Sequence, residues 1–487
     1  MVRASVTTPG EGSMSIGCQR TDGWQRTDGW QRKNRRSGRW FRTAVGCSAV
    51  AILLAAAGCA EDGTAASDGK AKSDAGPLKI PPAHVCTGLA GDDGLACDDG
   101  NACTFGDTCA GGLCSGKKLG LLYGGAQSDE ANALVVVAEN GFVVAGYSQS
   151  KGAGQRDAWL VRTDKDGNRL WDKTFGGPAN DSAAAILRLA DDSVVFAGHR
   201  GATLGVAGAD AWLVRVDREG KAVFDVTYSG STDAGAAALT AVGDGFALAG
   251  EVQVAGGAAS RDAQVIRVDG KGKLIWEQVF GGSGDDAATA VVSLGDGGLA
   301  LCGYTESSGA GLSDGWLVRT GANGSTQQWA QTYGGKQADV CTALVALPDG
   351  FALAGYTQSE GAGKSDMWLV RTNATGKSLW SKEFGTTALD GAYALAATAD
   401  GGFALAGTTN GKAAGGSQSW LLRTDGNGKF VGEWIYGNAD IGQSSSNGLV
   451  VLADGGFALA GATNSNGTTL YDMWLVRTDA KGKSSCE

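Results

Sequence analysis

The chain has 487 residues, 81 of them Gly and only 6 Pro, and a formal net charge of -10 at pH 7. An acidic chain argues against a nucleic-acid partner, which needs a basic face against phosphate. Glycine this dense without a triplet period excludes collagen, and its fixed positions exclude a disordered low-complexity chain.

In chain order, residues 1–42 are polar and basic, with a tandem Thr21-Asp22-Gly23-Trp24-Gln25-Arg26 and Thr27-Asp28-Gly29-Trp30-Gln31-Arg32. Lys33, Arg35, Arg36, Arg39 and Arg42 lead into an apolar run from Thr43 to Leu54, which is short for a membrane span and right for the apolar stretch of a signal peptide. The run ends in Ala56-Ala57-Gly58-Cys59, which resembles a bacterial lipobox. That resemblance implies that Cys59 is lipidated and becomes the first mature residue, with residues 1–59 as signal peptide. It departs from the usual pattern in having Ala56 where Leu is common. An ordinary cleaved signal, a twin-arginine signal at Arg35-Arg36 and a start at Met14 are the alternatives. Residues 60–82, rich in Ala, Gly, Ser, Asp and Lys without apolar periodicity, read as a flexible tether.

Residues 83–116 carry Cys86, Cys97, Cys103, Cys109 and Cys114. In an exported chain this density predicts a small disulfide module, and the absence of C-x-x-C pairs argues against zinc. The stretch from Cys97 to Cys109 resembles short cysteine-rich repeats of secreted bacterial and slime-mould proteins, which implies no enzymatic role. Asp98, Asp99, Asn101 and Asp107 are read as turn formers, with calcium ligation as the competing assignment. The module's odd cysteine pairs in this reading with Cys486 near the C-terminus, while Cys302 and Cys341 are expected to be buried thiols on inner strands.

Residues 117–487 are a repeat body. The segment Asp366-Met367-Trp368-Leu369-Val370-Arg371-Thr372 recurs around Trp159, Trp212, Gln264, Trp316, Trp420 and Trp474, at spacings of 52 to 54 residues. Each unit holds four strand-length segments, a to d, bounded by turn residues. Segments a and b are built from Ala, Val, Leu and Gly, whereas c and d carry Trp, Phe and Tyr. Sheets arranged radially converge at an axis and splay at a rim, so this grading predicts a β-propeller and not a stacked solenoid. The last unit has no segment d, and Leu119 to Gly125 supplies one from the other end of the body. The expectation is therefore an all-β, seven-bladed propeller closed by its N-terminal strand. Phe280-Gly281-Gly282-Ser283-Gly284-Asp285-Asp286 with Gly303-Tyr304-Thr305 resembles the seven-bladed bacterial β-propeller repeat family, which implies an exported location and transfers no catalytic residue.

Seven arginines end segment c, from Arg162 to Arg477, and aspartates occupy the a–b turns, so structural Arg–Asp pairs are expected at that edge. Aspartates also open segment a (Asp129, Asp181, Asp233, Asp286, Asp339, Asp390) and segment c (Asp157, Asp210, Asp262, Asp314, Asp366, Asp472). They are read as acceptors of their own turns, with a cation-binding rim as the competing assignment. The repeat breaks after segment b at Tyr147, His199, Glu251, Tyr304, Tyr356, Thr408 and Ala462. Tyr147, His199, Arg200, Glu251, Tyr304 and Tyr356 are accordingly the candidate ligand face, with no catalytic residue and no cofactor assigned. Ser-His-Asp hydrolysis would need a nucleophile turn beside His199, and no such motif is expected around a serine. The reading is a non-catalytic outer-membrane lipoprotein that binds an envelope protein or glycan; a quinone-dependent propeller enzyme is the alternative.

Overall fold

In the computed structural model, residues 104–110 and 113–118 are described as backbone strands. From residue 120 to 484 the chain is described except for 203–207, 230–232, 255–259, 413–415, 438–441 and 465–468. Cys59, Cys86, Cys97, Cys103, Cys486 and the tether lie outside these residues. The strands Thr104–Ala110 and Leu113–Lys118 form a hairpin that places Cys109 opposite Cys114 in register.

The remaining strands form seven antiparallel four-stranded sheets among the described residues. Blade 4 shows the plan: a Asp286–Ser293, b Leu299–Thr305, c Asp314–Thr320 and d Gln327–Tyr333. Blade 7 combines Gly448–Val451, Phe457–Thr463 and Asp472–Thr478 with Leu121–Tyr123, whose residues pair as Leu121 with Leu475, Leu122 with Trp474 and Tyr123 with Met473. The N-terminal strand thus closes the ring, as the sequence predicts.

Strand c lies at the centre of each blade's packing. Trp159, Trp212, Trp420 and Trp474 are among the largest fully buried side chains. An indole buried there must still satisfy its N–H. In several blades it does so by donating to strand d of its own blade: Trp212 to Asp225 at 2.7 Å, Trp368 to Ser381 at 2.7 Å and Trp420 to Glu433 at 2.9 Å. Trp474, whose strand d is the short Leu121–Tyr123, donates instead to Ser445 O at 2.8 Å. Gln264, which stands where the other units have Trp, preserves this bond by donating from Nε2 to Glu277 at 2.7 Å.

Strand a carries a β-bulge in blades 1 to 6, such as that between Ala288 and Ala290. The extra residue reaches the innermost strand of the next blade. Asn132 donates to Ala183 O at 2.8 Å, Thr289 to Cys341 O at 2.7 Å and Thr342 to Ala392 O at 2.8 Å, and Asn447 of blade 7 returns to Ala131 O at 2.8 Å. Opposite the bulge, strand b must be glycine, because a β-carbon at Gly303 would lie 1.9 Å from Ala287 O.

One expectation is corrected. Cys302 and Cys341 are not thiols but a disulfide, joining strand b of blade 4 to strand a of blade 5 with a Cα–Cα distance of 5.9 Å. Each occupies a position that most other blades fill with Ala, where strand b of one sheet packs against strand a of the next. The bridge closes a 39-residue separation across a blade boundary, so Cys341→Ala should cost about 2–4 kcal/mol in non-reducing urea unfolding. Trp368→Ala should cost about 3–5 kcal/mol in the same assay, as truncation of a large core side chain does. An unchanged midpoint for it would contradict the packing described here.

Candidate functional site

Strands a and c of a blade run parallel to each other, so their first residues fall on one face of the disc together with the d–a and b–c loops. We call this the upper face; the a–b and c–d turns form the lower face. The lower-face arginines pair as expected: Arg215 with Asp191 at 2.6 Å, Arg423 with Asp400 at 2.7 Å, Arg477 with Asp454 at 3.1 Å, and Arg319 and Arg371 with Asp296 and Asp349. The aspartates of these pairs are mostly solvent-exposed, so the pairs orient turns more than they stabilise the fold. Arg267 is looser, 3.8 Å from Asp244, and donates to Val242 O at 2.6 Å.

The upper-face aspartates accept bonds from their own turns. Asp181 Oδ2 accepts from Gly177 N at 2.7 Å, Asp339 Oδ2 from Gly335 N at 2.7 Å, and Asp366 Oδ2 from Gly363 N at 3.0 Å. They also meet in pairs across blade boundaries, strand c of one blade against strand a of the next. The position a β-carbon would take at Gly176 is 2.3 Å from Asp181 Oδ2 and 2.9 Å from Asp157 Oδ1, and Gly281 stands likewise between Asp262 and Asp286. Burial first, and the second carboxylate of each pair after it, pushes Asp157, Asp262, Asp314 and Asp366 above the usual carboxylate range. The boundary between blades 6 and 7 carries the neutral Gln418 and Ser444 instead, both buried. Among the described residues no group of three or more His, Cys, Asp or Glu could hold a metal ion.

The repeat-breaking position lies just inside this face. Tyr147 is buried and donates to Glu130 Oε2 at 2.8 Å, while Asn447 donates to Glu130 Oε1 at 3.0 Å. Glu130 was not legible as a site residue. Its carboxyl is raised by burial against these two donors. The Arg156 guanidinium stacks 4.3 Å from the centre of the Tyr147 ring, and its Nε is buried without a hydrogen-bond partner. His199 is half-buried and packs over Gly235 of blade 3, and its side chain makes no hydrogen bond among the described residues. Burial lowers its pKa, and Asp181 and Asp233 oppose that.

Glu251 does not pair with His199. It is buried and ion-paired with Arg261, which also reaches Asp233 at 2.9 Å. Arg200 points to the other side of its strand, 2.9 Å from Asp225 and 5.1 Å from the centre of the Trp212 ring, as Lys151 and Lys412 lie over Trp159 and Trp420. Tyr304 and Tyr356 are half-buried; the Tyr356 ring lies against Gly391 of blade 6, and burial pushes its hydroxyl up to about 12. Arg156 and Arg261 stand at the repeat position held by Ser313 and Ser365, a substitution that sequence comparison within the chain could have flagged.

The expectation that no nucleophile motif surrounds a serine needs correction, since Gly311-Leu312-Ser313-Asp314-Gly315 spells G-x-S-x-G. The structure makes it a loop entering strand c, not a strand-to-helix elbow. Asp314 Oδ2 caps it by accepting from Ala310 N at 2.9 Å, and Ser313 O accepts from Asp339 N at 2.7 Å. His199 lies in blade 2 and Ser313 at the start of strand c of blade 4, so no triad is assembled.

No family model matches the chain, and no curated protein matches it. Among solved structures, the Pan2 WD40 domain of Neurospora crassa is 10% identical over 71% of this chain and 88% of its own, at a TM-score of 0.46. The WD40 β-propeller domain of Doa1 is 14% identical over 75% and 98%, at 0.43. Sqt1 from Chaetomium thermophilum is 12% identical over 73% and 97%, at 0.40. The class of this protein, a seven-bladed β-propeller, stands on its own strand pairing.

A carboxyl whose pKa is raised by folding binds more protons in the native state, so stability falls as pH rises from about 4, the unfolded value, through the folded one. Asp366→Asn should therefore raise the urea midpoint at pH 7 and flatten its decline above pH 4. An unchanged pH profile would show that Asp366 is not held in an unfavourable charged state.

Proposed function

We propose that this protein is a non-catalytic binding module of the bacterial cell envelope, held at the outer membrane by lipid on Cys59, whose upper face binds an envelope protein or a glycan. The observation that carries the reading is the division of labour between repeated and unrepeated side chains. Residues present in every blade are consumed by packing, turns and ion pairs. The side chains that break the repeat gather on one face, where Arg156, His199 and Tyr356 keep donors or acceptors free of partners within the chain. A surface offering aromatic rings, a guanidinium and carboxylates in fixed positions suits a polar partner. Tyr304 extends that face, whereas Arg200 is held by Asp225 and Glu251 by Arg261.

The disulfide between blades 4 and 5 supports an oxidising compartment, as an exported chain would meet. Acid–base catalysis is disfavoured because Glu251 is ion-paired with Arg261 and, among the described residues, does not reach His199.

Two measurements test the proposal. Cys59→Ala should release the protein from membranes into the soluble fraction; full retention would remove the lipid anchor from the account. Crosslinking in envelope preparations should capture a discrete partner with the wild-type chain. Capture should fall by about tenfold with the double variant His199→Ala, Tyr356→Ala, as expected for hot-spot truncation, and should persist with Arg371→Ala on the lower face. Equal loss with all variants would mean that the upper face is not the contact surface.

A further inference from the structure

The lower face departs from its own pattern at one place, the boundary of blades 1 and 2. Elsewhere one arginine at the end of strand c meets the aspartate of its own blade's a–b turn. The blade 1 turn has Glu139 at that position, so Arg162 crosses to Asp192 of blade 2, at 2.5 Å. Asp192 also receives Arg188 Nε at 2.8 Å and lies 3.8 Å from Arg218 Nε. Three guanidiniums therefore surround one buried carboxylate, where the other boundaries provide one.

These residues are not demanded by the fold. Most other blades place Val, Ala or Ser where Arg188 stands, and Gly or Ala where Arg218 stands, apart from Lys165 in blade 1. Asp192 has φ of 63° at a position held by Gly297, Gly401 and Gly455 in other blades. Among the described residues, the non-glycine residues with positive φ are Glu139, Asn140 and Asp192, all at this boundary. Left-handed backbone is unfavourable for side chains other than glycine, and its concentration at one spot accompanies function more often than packing.

A cavity of about 450 Å³ opens at the same place, lined by Arg162, Lys165, Arg218 and Glu139 with Leu170 and Trp171 as an apolar wall. That size suits a small ligand. Its charges sort by what they already bind. Asp164 is occupied by its own turn, accepting from Asp166 N and Asn168 N at 2.9 Å, and Lys165 is paired with Asp166 at 2.6 Å. Arg162, Arg188 and Arg218 then face Asp192 and the solvent-exposed Glu139 and Glu219, three cations against three carboxylates. Arg218 is the most loosely held of the three: among the described residues its guanidinium makes no hydrogen bond, and it lies 3.5 Å from Glu139 and 3.8 Å from Asp192. A half-exposed guanidinium with unused donors beside an apolar wall fits a carboxylate bidentately. A dianion would meet Glu139 and Glu219 with no excess positive charge to offset it.

We infer that the cavity between blades 1 and 2 is a second binding site, separate from the upper face, for a compact ligand bearing one carboxylate, which Arg218 grips against the Leu170 and Trp171 wall while Asp192, behind the lining, holds Arg162 in place. The site does not rest on the upper-face reading, and its failure would leave that reading untouched.

The test is calorimetric titration of the full chain with glucuronate, N-acetylalanine and inorganic phosphate. The expected result is binding of glucuronate or of N-acetylalanine. The first outcome assigns an acidic sugar and the second a peptide terminus, and both support the site. Arg218→Ala installs the residue that blades 4, 5 and 7 carry there, so the variant should fold. It should weaken binding by about tenfold or more, the effect of losing a charge-assisted contact, while Lys429→Ala in blade 6 leaves it unchanged. Tighter binding of phosphate than of both carboxylates, binding indifferent to Arg218→Ala, or no binding at millimolar ligand would each overturn the inference.

Discussion

Everything in this molecule depends on ring closure. Each blade buries one face of its sheet against the preceding blade and the other against the next, and a row of such sheets is stable only when no face is left over. The three residues Leu121–Tyr123 meet that condition by completing blade 7. Closure also fixes the polar network near the axis, because Asn447 of blade 7 donates to Ala131 O and to Glu130 of blade 1, more than 300 residues away in sequence. Strand d adds a further tie. Tyr123, Tyr228 and Tyr436 each donate to the carbonyl of a turn glycine in the next blade, at 2.6 to 2.8 Å.

With the ring closed, the two faces acquire different electrostatics. On the lower face, Asp191, Asp296, Asp400 and Asp454 are stabilised as carboxylates by turn hydrogen bonds and arginines, which holds them below the usual range. Their contribution to stability is present at neutral pH and is lost as acid protonates them. On the upper face, Asp157, Asp262, Asp314 and Asp366, which open strand c in their blades, are raised, and their burial favours the protonated form. The Gln418 that takes this position in blade 6 is neutral like that form, though one methylene longer. Opposite pH responses on the two faces follow from one repeat, because one edge offers cations and the other sets carboxylate against carboxylate.

The fold was legible because its determinants repeat: the spacing of the strand-c tryptophans, the size grading from axis to rim, and the displaced last strand. The Arg–Asp edge was legible for the same reason. What escaped was what depends on contact between neighbouring sheets. Cys302 and Cys341 each stand alone in the chain pattern, yet most other blades carry Ala at both positions, and two such exceptions in consecutive blades are the trace of a cross-blade bridge. Glu130 and Asn132 were missed because the bulge in strand a of blade 1 shifts register by one residue and reverses which way a side chain faces. Asn447, the counterpart of Asn132 in blade 7, was missed because its partners lie in blade 1 at the other end of the chain. The cavity beside Arg218 was missed because its residues come from two blades, and its arginines look like ordinary turn residues until Asp192 is seen to gather them.

The central claim is a single closed ring whose first and last segments share a sheet. Amide hydrogen exchange read by peptide mass tests it most directly. The account predicts that peptides covering Leu121–Tyr123 and Asp472–Thr478 are protected to the same degree as the strand-c peptides of blades 4 and 5, and lose protection together in rising urea. Rapid exchange at residues 121–123 while Asp472–Thr478 stays protected would contradict it.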